Sequence, residues 1–338
     1  MHRSLAVLLA LLLLGSAAAG AQEFYKGKTV TFVIGTAPGG GYDTYSRLIA
    51  AHIGKHLPGQ PSVVSQNMPG AAMIRATNYL YNEAPRDGTV IGMIDQAVYL
   101  NQILGLPQLK ADVTKFNWIG RLISNSAVLY AWHTAPVKKI EDTYTHELVV
   151  STSGAASRMN WLVLDNLLGL KLKLINGYQG SADSRLALER GEVEALSQPW
   201  PVLKVENPEW LRDKKINLLL QTGTDKNPEL PQVPRMIDLA RNDGERAILQ
   251  LFSSPSTVGR SVMAPPGLPA ERVRELRQAF MDALKDPALL AQVKQAKLDL
   301  DPLPGDELQA AITGTGDLPA DLVAKARAIV DADQPAAK

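Results

Sequence analysis

Apolar and polar positions along this chain alternate between two rhythms. Thr29 to Ile34 is a β-branched and aromatic run that reads as a strand, and it ends in Gly35-Thr36-Ala37-Pro38-Gly39-Gly40-Gly41. Asp43 to Ile53 then turns to helical spacing, with Leu48, Ile49 and Ile53 on one face. Ser62 to Ser65 predicts a second strand, followed by the turn Asn67-Met68-Pro69-Gly70. Ala72 to Tyr81 is helical, Arg86-Asp87-Gly88 is a turn, and Thr89 to Ile94 is a third strand. Strands separated by helices of this length predict a parallel sheet.

A second series of the same kind begins near Val128. Leu148 to Thr152 is a strand leading into Ser153-Gly154-Ala155-Ala156-Ser157, Arg158 to Leu168 is helical, and Leu172 to Ile175 is a strand. Gly177-Tyr178-Gln179-Gly180-Ser181 opens a helix that runs to about Arg190. Val193 to Leu196 and Ile216 to Gln221 are further short strands. From Val262 the character changes. The rigid turn Pro265-Pro266-Gly267-Leu268-Pro269 is followed by helical stretches near 270–285, 287–297 and 318–331. The expected class is α/β, with two α/β units joined by crossing segments and a ligand cleft between them.

The amino-terminal pattern changes the compartment. Met1-His2-Arg3 is a short positive start, Leu5 to Leu14 is apolar, and Ala19-Gly20-Ala21 fits a small-residue cleavage site. The apolar run is shorter than the roughly 20 residues a membrane span needs. A cleaved signal peptide over 1–21 and a periplasmic product are expected. The chain has no cysteine, which leaves it no lipid-attachment thiol, disulfide or thiolate chemistry. Without Arg3 the 35 basic residues become 34, against 34 acidic. That balance gives no footprint for nucleic acid or for an anionic membrane surface. The 317 residues after position 21 exceed the size at which single cores stop growing, so two lobes are expected.

Any anion selectivity must then come from local groups, and the loop Pro38 to Asp43 is the strongest candidate. A strand, three glycines and a helix bring backbone N–H groups to a helix N-terminus, where unpaired donors and the helix dipole favour an anion. Read alone, it is equally an ordinary glycine-rich turn with Asp43 as N-cap. Ser153 to Ser157 is a second cradle of small residues and Tyr178 to Asp183 a third. Three such loops, each after a strand, favour one shared anion site, because open α/β sheets bind ligands at the carboxyl ends of their strands.

Other chemistries fit poorly. A dinucleotide fingerprint needs glycine where Thr44 stands, and Gly27-Lys28-Thr29 lacks the first glycine of a P-loop because Gln22 is there. His52 and His56 sit four apart on a helix, but Ile53 replaces the glutamate of H-E-x-x-H and no third ligand is evident. His133 and His146 are isolated. No G-x-S-x-G elbow surrounds a serine. Neither a metal nor a cofactor is expected. Arg75 and Arg158 could pair with a ligand carboxylate or lie on solvated helix faces. Trp200, between two prolines, is the tryptophan weighed for the cleft.

These loops resemble the Bug-type periplasmic solute-binding proteins of tripartite tricarboxylate transporters. Pro38-Gly39-Gly40-Gly41-Tyr42-Asp43 is similar to the family's PGGGxD, and Asn67-Met68-Pro69-Gly70-Ala71 to its NRPGA. Pro85-Arg86-Asp87-Gly88-Thr89 resembles PPDGY. Thr152 to Ser157 resembles SAGxGS, Tyr178-Gln179-Gly180-Ser181-Ala182 resembles YKGSAPA, and Arg190-Gly191-Glu192-Val193 resembles GGQV. Leu230 to Pro234 and Met263 to Pro269 resemble LPDVP and LLAPAGTP. The matches run in order from about residue 28 to 270.

The resemblance implies a type II periplasmic-binding fold whose lobes close on the ligand, with lobe 1 at 22–126 and 253–338 and lobe 2 at 127–252. It implies a small carboxylate ligand, integral membrane transporter subunits as partners, a monomer, and no catalysis. Carried over by position, it points to Gly39, Gly40, Gly41, Asp43, Ser153, Gly154 and Ser157, with Tyr178 and Ser181 as further transfers. Ala155 and Ala156 complete the second cradle, and Tyr42 and Trp200 could stack on a ligand ring.

Four departures bear on the ligand. Asn160 stands where many members have histidine, Gln179 replaces the lysine of YKGS, and Gln96 follows the third strand where small residues are usual. Ser197-Gln198-Pro199-Trp200 replaces a segment resembling FDNLP. Asp43 and Asp95 would repel extra negative charge unless they meet an ammonium, a hydroxyl or a water. These departures point away from a citrate-like tricarboxylate and towards an aromatic or hydroxylated carboxylate. A ligand-presenting sensor component and an enzyme acting on a carboxylate are the alternative functions, and the enzyme lacks a visible nucleophile, metal or acid–base pair.

Overall fold

The structure, a computed structural model, describes residues 24–152, 155–176, 178, 181–314 and 318–332. The expected signal peptide at 1–21 lies outside them. The strands in chain order are β1 (Thr29–Ile34), β2 (Ser62–Asn67), β3 (Val90–Met93), β4 (Asn117–Ile123), β5 (Ala127–Trp132) and β6 (Leu148–Ser151). They continue with β7 (Leu172–Ile175), β8 (Ala195–Pro199), β9 (Ile216–Gln221), β10 (Arg260–Ala264) and β11 (Leu303–Pro304). The helices are α1 (Gly41–Ile53), α2 (Ile74–Asn82), α3 (Val98–Ile103), α4 (Ala155–Leu168), α5 (Ser181–Glu189) and α6 (Trp200–Glu206). After them come α7 (Pro208–Arg212), α8 (Asp243–Val258), α9 (Ala270–Ala283), α10 (Pro287–Gln295), α11 (Gly305–Thr313) and α12 (Ala320–Asp331).

Two compact units result. The first comprises residues up to Asp95, Gln108–Ile123 and Arg260–Ala310. Its six-stranded sheet runs β11-β4-β10-β3-β1-β2. β2, β1 and β3 are parallel, as their helical crossovers predict, and their ends are level: Ile34 pairs with Asn67 on one side and Met93 on the other. β10 is antiparallel to both β3 and β4, with Val262 opposite Met93 and Arg260 opposite Ile123. The start of β10 therefore lies at the edge where β1 and β3 finish. Phe32, Ile34, Ile49, Ile91, Met93 and Phe280 are buried in this unit's core. Gly120 admits that packing, because a Cβ there would lie 2.4 Å from the Phe280 ring.

The second unit comprises Gln96–Pro107, Ser124–Gly259 and the residues from Ala311. Its five-stranded sheet runs β7-β6-β8-β5-β9, with β7, β6 and β8 parallel and β5 antiparallel to β8 and β9. Trp161, Leu164, Leu220 and Phe252 lie in its main core. The carboxyl-terminal stretch was expected with the first lobe, but α12 packs here. Its apolar face explains the placement: Ala326 and Ile329 are buried in the same core as Trp161, and Asn166 donates to the Ile329 carbonyl at 3.1 Å. No described helix is long and apolar enough to cross a membrane.

Candidate functional site

In the first unit, β1 ends against a loop held from beneath by one carboxylate. Gly40, extended at φ −99° and ψ 173°, is the N-cap of α1 and brings no capping side chain of its own. Asp43 is therefore not the N-cap but sits in the first turn, 5% exposed. One of its oxygens accepts the Gly39 N–H at 3.0 Å. The other accepts Asn67 Nδ2 at 2.9 Å, and Arg47 Nε lies 3.0 Å from both.

Asn67 closes the network. Its Nδ2 also donates to the Thr36 carbonyl at 2.8 Å, and its Oδ1 accepts Arg47 Nη2 at 2.7 Å. The level ends of β1 and β2 put Asn67 in reach of the glycine loop. Burial pushes the Asp43 carboxyl up, but the hydrogen bonds from Arg47, Asn67 and Gly39 outweigh it and hold the pKa at about 2. The charge that the sequence suggests would repel an anion is thus engaged by an arginine and two N–H donors. Asp43 shapes the loop that presents the first-turn amides.

The glycines differ in what surrounds them. Gly39 needs its φ of +96°, whereas Gly40 has no backbone requirement, and a Cβ at either would meet nothing within 4 Å. That open space leaves the Gly39–Gly40 backbone approachable. At Gly41 a Cβ would lie 2.6 Å from Arg260 Nη2. The third glycine makes room for a guanidinium, which lies 5.0 Å from the Tyr42 ring and 5.2 Å from the Tyr45 ring. Arg260 carries no local signal in the sequence, being a lone arginine at the start of a short strand.

A second loop meets the same strand end. Met68 N–H donates to the Ile34 carbonyl at 2.8 Å. Ala71, Ala72 and Met73 then all take positive φ, at 46°, 49° and 69°, beside Gly70 at 142°. Consecutive left-handed residues are unfavourable for L-amino acids, and here they turn Met73 onto Gly35, where a Cβ would meet its side chain at 2.8 Å.

In the second unit, Ser153 and Gly154 lie outside the described residues, as do the side chains of Ala155, Ala156 and Ser181. The backbones of Ala155 and Ala156 open α4, and that of Ser181 opens α5. Ser157, in the first turn of α4, has a buried Oγ with no hydrogen-bond partner among the described residues. The strand before it is fixed by Thr152 N–H on the Ile175 carbonyl at 3.1 Å and by Ser151 Oγ against Ser184 Oγ at 2.7 Å. Tyr178 is half-buried, and burial raises its hydroxyl pKa, with Glu192 adding to the effect.

Gln96 accepts a hydrogen bond from Asn125 Nδ2 at 2.6 Å. Trp200 is 8% exposed and packs with Tyr130, Leu203 and Trp210, while its indole N–H donates to Glu229. Gln198 is buried and accepts Tyr130 Oη at 2.9 Å. His52 in α1 and His56 in the 3-10 turn that follows it have separate partners: His52 Nε2 lies 3.2 Å from Gln292 and His56 Nε2 3.1 Å from Asp286. Among the described residues no group of three or more potential metal ligands is gathered.

With this geometry in place, the chain can be set beside known proteins. The model of the tripartite tricarboxylate transporter family receptor (TctC) matches residues 45–333. No curated protein sequence matches. Among solved structures, a TctC solute-binding protein from Polaromonas without ligand is 18% identical, with a TM-score of 0.69, covering 91% of this chain and 99% of that one. Rpa4515 of R. palustris with adipate is 20% identical, with a TM-score of 0.60 and coverage of 88% and 97%. MatC of Rhodopseudomonas palustris with bound malate is 22% identical, with a TM-score of 0.57 and coverage of 87% and 98%. These likenesses extend over nearly the whole of each neighbour and establish the two-unit α/β fold of solute-binding proteins.

Proposed function

Because the chain belongs to the tripartite tricarboxylate transporter receptor family, we propose that it is a periplasmic solute-binding protein for a small carboxylate, which it delivers to the membrane subunits of a transporter. The observation that carries this reading is the Asp43 network. It fixes a loop whose Gly39 and Gly40 are open to approach and whose N-cap is a glycine with no capping side chain of its own. Such amides suit carboxylate oxygens. The unpartnered Ser157 Oγ offers a hydroxyl contact in the second unit. Two structural neighbours hold adipate and malate, so aliphatic dicarboxylates join aromatic and hydroxylated carboxylates as candidates.

The proposed cycle is capture by closure of the lobes, release to the transporter and no chemical change to the ligand. The site residues proposed are Gly39, Gly40, Gly41, Tyr42, Gln96, Ser153 to Ser157, Tyr178 and Ser181, with Asp43 as the residue that positions the first loop. The protein would act as a monomer, with no metal or cofactor. Thermal shift against mono-, di- and tricarboxylates, aromatic acids and amino acids, confirmed by calorimetry, tests the reading. A carboxylate that raises the melting temperature with the concentration dependence of mass action supports it. Failure of every carboxylate, or recovery of a chemically altered ligand, overturns it.

A further inference from the structure

We propose that Arg260 is the cationic contact for the ligand's oxyanion, gripping one carboxylate beside the first turn of α1; this rests on the carboxylate reading above. Arg260 begins β10, the antiparallel strand between β3 and β4. That direction puts it at the sheet edge where β1 and β3 end, the edge at which open α/β sheets take ligands. Its Nη2 lies so close to Gly41 that a side chain there would collide with it. An oxyanion at the first-turn amides would therefore be within reach of the guanidinium.

Among the described residues Arg260 has no competing partner for its charge. Its Nε is buried without a hydrogen-bond acceptor, and among the described residues no carboxylate pairs with it. The nearby acid, Asp43, is already engaged by Arg47 and Asn67. What the guanidinium does touch is the rings of Tyr42 and Tyr45, and Tyr45 is itself anchored by its hydroxyl on the Asp299 carbonyl at 2.8 Å. Aromatic faces orient a guanidinium without neutralising it. A partly buried arginine fixed in this way, with a donor left unpaired, is an incomplete ion pair, and a bound carboxylate completes it bidentately.

The chemistry implies a ligand with a fully ionised carboxylate at this end, discriminated from its neutral amide. The test measures calorimetric affinities of the wild type, Arg260→Gln and Arg260→Lys for malate, adipate, benzoate and inorganic phosphate. For whichever dicarboxylate binds, its monoamide is measured as well. Melting temperatures and circular dichroism without ligand establish that each variant is folded. Arg260→Gln should lose about ten- to a hundredfold in affinity together with the preference for acid over amide. Arg260→Lys, which keeps charge but not the planar fork, should fall between.

A carboxylate that binds wild type and Arg260→Gln equally overturns the role of Arg260 and leaves the carboxylate reading standing. Phosphate bound tightly by the wild type and lost in Arg260→Gln, with every carboxylate inert, keeps Arg260 as the oxyanion contact and overturns the carboxylate reading. No binding of any of these anions, or of any carboxylate in the thermal-shift panel, overturns both.

Discussion

Asn67, the last residue of β2, donates to Asp43 at 2.9 Å across 24 positions of sequence and so ties the end of one strand to the first turn of the helix that follows its neighbour. Replacing Asp43 by Asn removes the charge on which Arg47 and Gly39 converge. The expected loss is about 1–3 kcal/mol of stability, with weaker ligand binding because the loop is no longer held. The carboxyl titrates at about 2 in the folded protein against an ordinary 3.8. A depressed value means that the stabilisation is complete above 3.8 and is lost as pH falls towards about 2. Melting curves of wild type and Asp43→Asn should therefore differ by a constant amount at neutral pH and converge between about pH 4 and 2. A difference that persists unchanged at pH 2 would show that the carboxylate charge is not the stabilising element.

Gly40 separates binding from folding. Its φ and ψ suit any residue and a Cβ would meet nothing within 4 Å. Gly40→Leu should cost about 1 kcal/mol or less in stability as a poorer N-cap, yet it should block approach to the loop backbone. Calorimetry should show binding abolished and the ligand-free melt nearly unchanged. Retained affinity would move the ligand away from this loop.

Trp200 calls for a different expectation from the one its sequence context suggests. Packed with Trp210 and Leu203 and 8% exposed, it should behave as core, and Trp200→Ala should cost about 3–5 kcal/mol. Trp200→Phe keeps most of the packing but removes the hydrogen bond to Glu229. It should be milder in denaturant melts and leave ligand affinity within a factor of about two. A large selective loss of affinity in Trp200→Phe would restore the indole as a ligand contact.

Ala72 is exposed and left-handed, at φ 49° and ψ 48°. Ala72→Gly should raise stability by about 0.5–1 kcal/mol by releasing backbone strain, and Ala72→Val should lower it by more, since a β-branched residue tolerates this region least. Paired denaturant titrations read both. If the glycine variant is less stable than the wild type, the left-handed run is not strained.

Much of this was legible in local pattern. β1, β7 and β9 have the bounds their β-branched and apolar runs predict; β1 and β9 are largely buried, and the three apolar residues of β7 are half-buried around an exposed Lys173. The glycine loop was legible as a cradle, since strand, glycines and helix are adjacent in sequence. β4 was missed because Gly120 and Arg121 interrupt its apolar run; the glycine is there for the Phe280 ring and the arginine for Asp301 at 2.9 Å. α8 was missed because Ser253, Ser254, Pro255 and Ser256 make its last turns read as a loop. Arg260 beside Gly41, and Asn67 beside Asp43, were illegible for a further reason: each acts on a residue far away in the chain, and no local rule carries that information.

The antiparallel insertion of β10 also has a consequence for how the protein is made. β3 and β4 never pair with each other; the strand between them is synthesised more than 130 residues after β4 ends. Until Arg260 to Ala264 has emerged, the first sheet consists of two fragments, each with an unpaired inner edge open to the wrong partner. The first unit, though it starts the chain, closes only after the body of the second has been made. A nascent chain halted before residue 260 should therefore depend on chaperone cover.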